Sequence, residues 1–161
     1  MHSFHIALAI EPVEDGKFYA QQPLHCTLMH WFSVHEAYEH MVPDYCAELF
    51  QTVTPVSMLV GEIEMFGDNH DVPVFTIEEN ERLRVLHDHL MACLSCLEFK
   101  SSEPHYVGEG YRPHITMRSV SDLEVGQRLE SSTAYLSLRT AAMNPPGTRG
   151  NSQILGSFQL A

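Results

Sequence analysis

Residues 25–28 read HCTL and residues 114–117 read HITM, so one pattern of histidine, apolar residue, threonine and apolar residue occurs twice. Successive side chains of a β-strand point to opposite faces, so in an extended tetrapeptide the histidine and the threonine share a face, about 6.6 to 6.8 Å apart. The apolar residues then point into the core. Two such strands brought together would surround one small anion with two imidazoles and two hydroxyls, which are the groups that phosphodiester chemistry without a metal requires.

The repetition has to be compared with chance. The chain contains 11 histidines and 44% apolar residues, and such frequencies give a probability of roughly a few per cent for two such tetrapeptides by accident. Both copies, however, lie in segments whose patterns favour strands. The repetition therefore favours a paired site over two unrelated histidines in the core.

Two strands are predicted around the first copy. Residues 4–10 alternate apolar side chains with small or polar ones, a pattern typical of a half-buried strand. Residues 25–32 predict the second strand. Alternation places four of its side chains on one face: His25, Thr27, Met29 and Trp31. We interpret Trp31 as a core residue and His30, on the opposite face, as a packed or edge histidine.

Two helices are predicted farther along the chain. Residues 33–36 have capping-box spacing and predict the start of a helix that Pro43 kinks or splits. Its predicted stripe is Tyr38, Met41, Tyr45 and Leu49. From about residue 79 to 99 the apolar period is again helical. The buried stripe there consists of leucines: Leu83, Leu86, Leu90, Leu94 and Leu97.

The remaining segments predict mostly strands. Residues 56–66 and 72–77 predict a hairpin with a bulge at Gly61, and Pro73 indicates the beginning of the second strand or a sheet edge. The second tetrapeptide predicts a strand through about Ser119. The other predictions are a short helix over 121–129, strands over 135–139 and 153–160, and a loop over 144–150. This order of elements favours an α+β fold in which one structural unit occurs twice.

Length and charge restrict the classes of function. A chain of 161 residues predicts one domain spanning residues 1–161. Its formal charge of −12 would repel a polyanion, which argues against long duplex nucleic acid. A small phosphate ester can still bind where one or two arginines line a cleft. The sequence has no apolar run of membrane-spanning length and no secretory signal pattern, so we predict a soluble, cytoplasmic monomer with no membrane partner.

The four cysteines do not predict a metal or disulfide site. Only Cys93 and Cys96 form a close pair, and there is no second pair to complete a zinc site. We therefore expect no metal and no cofactor.

With both tetrapeptides intact, the chain resembles the 2H phosphoesterase superfamily, which is named for two motifs of the form H-x-[ST]-apolar. It looks most similar to the branch of 2′-5′ RNA ligases and cyclic phosphodiesterases. The resemblance extends over essentially the whole chain through its length, its order of elements and the roughly 90-residue spacing of the two histidines. It implies an α+β fold of two pseudo-symmetric lobes, each an antiparallel sheet with helices outside, around a central cleft that holds both motifs.

The resemblance also implies a catalytic site. His25 and His114 would be the acid and base, with His114 favoured as the base in hydrolysis, and Thr27 and Thr116 would bind the phosphate. The implied reaction is metal-independent hydrolysis or transesterification of a ribonucleotide phosphodiester. The implied substrate is a 2′,3′-cyclic phosphate, a 2′-5′ linkage or a cyclic nucleotide, with RNA termini as a further partner. The alternatives are 2′-5′ RNA ligase activity, a non-catalytic nucleotide-binding module, and a structural interaction protein.

Three further residues are candidate substrate ligands. Arg118 lies two residues after Thr116 and so shares its strand face. Tyr111 and Arg112 flank the second motif in a glycine-bearing loop, where a ring could stack on a base and a guanidinium could pair with phosphate. Arg149, in the loop over 144–150, is a weaker candidate.

Overall fold

The computed structural model of the chain describes residues 2–119, 122–144 and 151–161. These residues form strands, two α-helices and several short 3₁₀ turns. The strands are β1 (Ser3–Ala9), β2 (Phe18–Tyr19), β3 (His25–Ser33), β4 (Val56–Phe66), β5 (Val72–Ile77), β6 (Lys100–Ser101), β7 (His114–Thr116), β8 (Arg128–Ser131), β9 (Thr133–Arg139) and β10 (Ser152–Gln159). The helices are α1 (Met41–Phe50) and α2 (Glu81–Ser95).

The strands form two antiparallel sheets, which confirms the predicted α+β class. One sheet has six strands in the order β2-β10-β9-β1-β3-β6, and the other has four in the order β7-β5-β4-β8. A continuous apolar core lies between the sheets and the helices. Helix α1 packs against β9 and β10, and α2 packs against β3. The two sheets are unequal in strand number, and each contains one of the two tetrapeptides, on β3 and on β7.

Strand β1 is buried on both faces and not half-buried as its alternation predicted. It lies between β3 and β9, so neither edge is free. Ile6 and Leu8 enter the main core, whereas His5 and Ala7 are buried on the opposite face. A central strand can carry small or polar residues on a buried face when other side chains cover it.

Strand β3 does not keep one alternating face along its length. Its pairing with β1 shifts register twice, so that Thr27 opposes Ala7 and Met29 opposes Ile6. Leu28 and Met29 are both fully buried in the core. The predicted common face is therefore wrong beyond Thr27, because an irregular pairing changes which side each later residue occupies.

The first helix also differs from its prediction. A 3₁₀ turn over Glu36–Tyr38 comes first, and α1 starts only at Met41. Pro43 lies in the first turn of α1, where helical N–H groups have no partner within the helix. The fully buried positions are Val42, Cys46 and Phe50, each one residue after a member of the predicted stripe.

The second helix and the hairpin agree closely with prediction. Asn80 caps α2 by accepting a hydrogen bond from the Leu83 N–H at 3.2 Å, and all five predicted leucines are buried. Strands β4 and β5 have the predicted bounds, with the register shift beside Gly61. A Cβ on Gly61 would lie 2.6 Å from the Thr76 hydroxyl oxygen, so only glycine fits this close approach.

The segment after the second tetrapeptide is less regular than predicted. Strand β7 ends at Thr116 instead of Ser119. The predicted helix over 121–129 is wrong in the described part of that segment, because Gly126 makes a turn with φ +86 and the chain then enters β8. Strands β9 and β10 confirm the last two predicted strands. The region 145–150, including Arg149, lies outside the described residues. None of the described helices is both long enough and apolar enough to span a membrane.

Candidate active site

The structure brings the two tetrapeptides together on strands β3 and β7, which pack against each other although they belong to different sheets. The Tyr111 hydroxyl, just before β7, donates a hydrogen bond to the Thr27 carbonyl oxygen at 2.9 Å. The Cys26 thiol lies within hydrogen-bonding reach of the His114 backbone. The first copy thus lies on a strand of the six-stranded sheet, where it pairs with β1, and the second lies on the edge strand of the four-stranded sheet, where it pairs with β5.

Both imidazoles of the pair are anchored in the same way. The Nδ1 atom of His25 lies 2.8 Å from the Pro23 carbonyl oxygen, and Nδ1 of His114 lies 2.8 Å from the Arg112 carbonyl oxygen. A carbonyl oxygen can only accept, so in both rings Nδ1 carries the proton. Each neutral ring is thereby left with Nε2 as the nitrogen that can exchange a proton with a substrate.

The same surroundings lower the pKa of both imidazoles. Burial is the largest cause for His25, partly offset by its bond to Pro23 and reinforced by positive charge at His114 and Arg118. Burial also lowers the pKa of His114, with the Arg112 charge as a further cause. Because a positive charge on His114 lowers the pKa of His25, the arrangement in which both rings are protonated is disfavoured.

The two threonines of the motifs have different environments. Thr27 is buried, and its hydroxyl oxygen lies 2.9 Å from Nε2 of His5. Thr116 is exposed, and its hydroxyl has no hydrogen-bond partner within the described ranges. One hydroxyl is therefore held in place before any substrate binds, and the other is free to turn.

Aromatic rings surround the second histidine. The ring centroid of His114 lies 4.7 Å from Phe66, 5.6 Å from His30 and 6.3 Å from Tyr106. A cavity of about 200 Å³ opens beside these rings and includes Thr116. His30 is packed, as predicted, but its partners are Tyr106 and His114, because the irregular pairing of β3 places its ring beside the second motif.

A stack of side chains borders the first histidine. His25 lies 5.1 Å from His5 between ring centroids, and Trp31 stacks on His5 at 5.2 Å. The Arg139 guanidinium lies 4.3 Å from the centroid of Trp31. Trp31 is only half-buried, so its interpretation as a core residue is wrong. Arg139 makes no ion pair with any carboxylate in the described part of the chain.

The predicted auxiliary residues have separate outcomes. Tyr111 is 2% exposed and its ring lies parallel to His87 at 4.1 Å, so its face is covered and its predicted stacking on a base is not supported. Arg112 pairs with Glu64 at 2.7 Å, and Arg118 pairs with Glu11. Both arginines are nevertheless close enough to lower the pKa of a motif histidine, so they remain candidate ligands.

Sequence reasoning missed His5, His30 and Arg139 as neighbours of the motifs. His5 and Arg139 lie on β1 and β9, and the pairing β9-β1-β3 brings them beside the first motif. The alternation of β1 already placed His5 on the face opposite Ile6. The sequence did not show that β1 pairs with β3, and it therefore did not predict that His5 lies beside the first motif.

A larger cavity of about 630 Å³ lies elsewhere, between the N-terminus of α2 and the loop before β7. It contains neither motif histidine, and its arginines already have partners: Arg84 donates to the Gly108 and Tyr111 carbonyl oxygens, and Arg112 pairs with Glu64. The groups that can transfer protons are at the tetrapeptides, so we place the candidate active site there.

Comparisons with known proteins agree on one family and one fold. Residues 4–147 match the family model of the 2′-5′ RNA ligase superfamily. No curated protein sequence matches the chain. The crystal structure of TT0787 of Thermus thermophilus is similar, with a TM-score of 0.60, 20% identity, and 98% of this chain and 97% of that chain covered.

Two further crystal structures have the same fold over their full lengths. Escherichia coli LigT complexed with 3′-AMP has a TM-score of 0.66 at 14% identity, covering 99% of this chain and 98% of LigT. A protein described as a phosphoesterase has a TM-score of 0.62 at 13% identity, covering 100% of this chain and 99% of that one. At such identities the likeness concerns the fold.

Proposed function

The chain belongs to the 2′-5′ RNA ligase superfamily, and on that premise we propose that it is a phosphodiesterase that cleaves ribonucleotide phosphodiesters without a metal ion. The observation that carries this proposal is the pair of imidazoles on adjoining strands, each with Nδ1 bound to a carbonyl oxygen and Nε2 left for the substrate. The proposed substrates are 2′,3′-cyclic phosphates, 2′-5′ linkages and cyclic nucleotides.

The proposed reaction moves one proton at each histidine. A neutral Nε2 takes a proton from water as the water oxygen bonds to phosphorus, and a protonated Nε2 gives a proton to the ribose oxygen as its bond to phosphorus breaks. The resemblance to the family favours His114 as the base and His25 as the acid. The lowered pKa of both rings favours the neutral imidazole that serves as the base.

Threonine hydroxyls would hold the phosphate between the two rings. Thr27 and Thr116 are the predicted donors to the non-bridging oxygens, where negative charge builds up as the attacking oxygen approaches. Arg112 and Arg118 lie near enough to add positive charge, although each is paired with a glutamate. Arg139, which has no carboxylate partner among the described residues, is a third candidate.

A small substrate fits the charge and the surroundings of the site. A formal charge of −12 disfavours approach of a long polyanion. The rings beside His114 border a cavity of about 200 Å³, which suits a single base or ribose better than a helix. The LigT structure with 3′-AMP supports a ribonucleotide as the ligand class.

The test is a panel of small ribonucleotides incubated with the protein in the presence of EDTA and analysed by mass spectrometry. The panel contains nucleoside 2′,3′-cyclic phosphates, 2′-5′ dinucleotides and cyclic dinucleotides, together with an RNA pair that could be ligated. Cleavage that persists in EDTA supports the proposal, and loss of cleavage with EDTA contradicts the metal-free mechanism. Binding without turnover would favour a recognition module, and joining of the RNA pair would favour a ligase.

A further inference from the structure

His5 connects the first motif to a buried hydrogen-bond network. Its Nε2 lies 2.9 Å from the Thr27 hydroxyl oxygen, and its Nδ1 lies 3.3 Å from the Ser137 hydroxyl oxygen. Its ring is 4% exposed and lies against Trp31. His5 therefore joins Thr27, a proposed phosphate ligand, to the buried hydroxyl of Ser137 behind it.

The hydrogen bonds at the far end of this network indicate which groups donate and which accept. The Tyr135 hydroxyl donates to the Gln22 carbonyl oxygen at 2.8 Å, so the Gln22 amide nitrogen faces the other way. That nitrogen donates to the hydroxyl oxygens of Ser137 and Ser152, each at 2.9 Å. Ser137 thus accepts from Gln22 and has one proton left to donate.

The Ser137 proton has two possible acceptors. Nδ1 of His5 at 3.3 Å is nearer than the His5 carbonyl oxygen at 3.5 Å. A neutral imidazole carries only one proton. If Nδ1 accepts, that proton is on Nε2 and is donated to the oxygen of Thr27. The Thr27 hydroxyl proton is then free to point at an anion in the cleft.

His5 is kept neutral by its surroundings. Burial is the largest cause that lowers its pKa, followed by the positive charges of His25, His30 and Arg139. A neutral ring exists as one of two tautomers, and the choice decides whether Thr27 can donate. If Nε2 accepted instead, the Thr27 proton would be occupied by His5.

We propose that His5 is a positioning residue that holds the Nε2–H tautomer, donates to the Thr27 hydroxyl oxygen and so directs the Thr27 proton toward the substrate phosphate. The role of Thr27 rests on the proposed function, whereas the tautomer does not. His5 would thus have the opposite tautomer to His25 and His114, both of which carry their proton on Nδ1. The second motif has no equivalent, because Thr116 is not hydrogen-bonded within the described residues.

The first test measures tautomers in the wild-type protein. Long-range ¹H–¹⁵N correlation spectra at neutral pH distinguish a protonated ring nitrogen from an unprotonated one, and His5→Phe identifies the His5 signals by their loss. We expect Nε2–H at His5 and Nδ1–H at His25 and His114. A proton on Nδ1 of His5 would overturn the proposal, whether or not the protein shows any activity.

The second test is a pair of double-mutant cycles on kcat/KM. His5→Phe keeps the ring shape but cannot donate, so we expect a loss of about tenfold in the wild-type background. The same loss is expected in Thr116→Val, and no further loss in Thr27→Val, because there the target hydroxyl is already gone. Equal losses in all three backgrounds would overturn the proposal.

A conservative variant separates hydrogen bonding from packing. The side-chain amide of His5→Gln can still donate to Thr27, so this variant should recover part of the activity that His5→Phe loses. The recovery should appear in kcat, because the oriented proton acts most strongly on the charge that develops in the reaction. No turnover of any substrate by the wild type would contradict the proposed function, and the tautomer measurement would still decide the state of His5.

Discussion

The half-site of His25 and Thr27 and that of His114 and Thr116 share a tetrapeptide and an Nδ1 anchor, but their neighbours differ. The first is backed by a buried network of polar side chains, and its threonine is hydrogen-bonded. The second is bordered by aromatic rings, and its threonine is exposed. The repeated motif supplies the same groups twice, while the neighbours give the two copies different properties.

The position of each strand explains this difference. Strand β3 pairs with β1 and β1 pairs with β9, so that His5 of β1 and Ser137 of β9 form a hydrogen-bonded row behind Thr27. Strand β7 is a three-residue edge strand of the four-stranded sheet, and although His114 and Ile115 are buried, Thr116 at its end is exposed. The side chains of two neighbouring strands hold the hydroxyl of Thr27, whereas the exposed hydroxyl of Thr116 lacks such support among the described residues.

The largest loss of activity is expected from substitution of the histidines, which the two half-sites have in common. His25→Ala and His114→Ala should each lower kcat by about 10²- to 10⁴-fold, since each removes one proton-transfer group. The double variant should be little worse than either single one, because the two groups act as a unit. The exposed histidine of α2 provides a control, His89→Ala, which should keep wild-type activity. Substantial activity in either single variant would contradict the site.

Substitution of the two threonines tests the difference between the half-sites, since one hydroxyl is hydrogen-bonded and the other is exposed. Thr27→Val should lower kcat/KM by about 100-fold and Thr116→Val by about tenfold, because a preorganised donor stabilises developing charge more than a mobile one. Thr27→Ser and Thr116→Ser keep a hydroxyl and serve as matched controls. Equal losses from the two valine variants would remove the functional distinction between the half-sites.

The stability of the folded protein at acidic pH should depend on His30, which stacks on His114 of the second half-site. Burial, with the charges of His114, His25 and His87, lowers the pKa of His30 from 6.5 to about 3. Below pH 6.5 the unfolded chain binds a proton there that the folded chain does not, so stability falls as the pH falls. His30→Phe should reduce the loss in unfolding free energy between pH 7.5 and 5 by about 2 kcal/mol in urea titrations.

An exposed histidine provides the matched control for this stability measurement. His105 lies at the surface, so His105→Phe should lose as much stability between the two pH values as the wild type. An unchanged pH dependence in His30→Phe would show that His30 is not held neutral by the fold.

The smallest expected effect concerns the arginine beside each histidine. Arg112→Gln should raise the pKa of His114 and Arg118→Gln that of His25, because each removes a positive charge that lowers it. If His114 is the base, Arg112→Gln moves the acid limb of the kcat/KM profile to higher pH, and Arg118→Gln moves the alkaline limb to higher pH. The reverse pattern would exchange the roles of acid and base.

A control and a contrary result complete the pH experiment. Arg128 is exposed on β8, so Arg128→Gln should leave both limbs where they are in the wild type. Two unchanged limbs in the variants of Arg112 and Arg118 would contradict electrostatic coupling of either arginine to its histidine.

Local patterns predicted the regular elements well. The leucine stripe of α2 and the bounds of β4 and β5 follow from strong periodicity and from turn residues at their ends. The bulge at Gly61 was predictable because the apolar phase changes there. The helix predicted over 121–129 failed because a glycine turn and pairing with β4 outweighed a weak local preference.

The sequence alone therefore determined the two half-sites, since alternation within each tetrapeptide places a histidine and a threonine together. Tertiary structure decided what surrounds them. Pairing of β1 with β3 brought His5 to Thr27, irregular register turned His30 onto His114, and packing covered the face of Tyr111 with His87. The physical reason is range: the period of a strand is a local property, whereas strand order, register and burial depend on contacts between residues far apart in the chain.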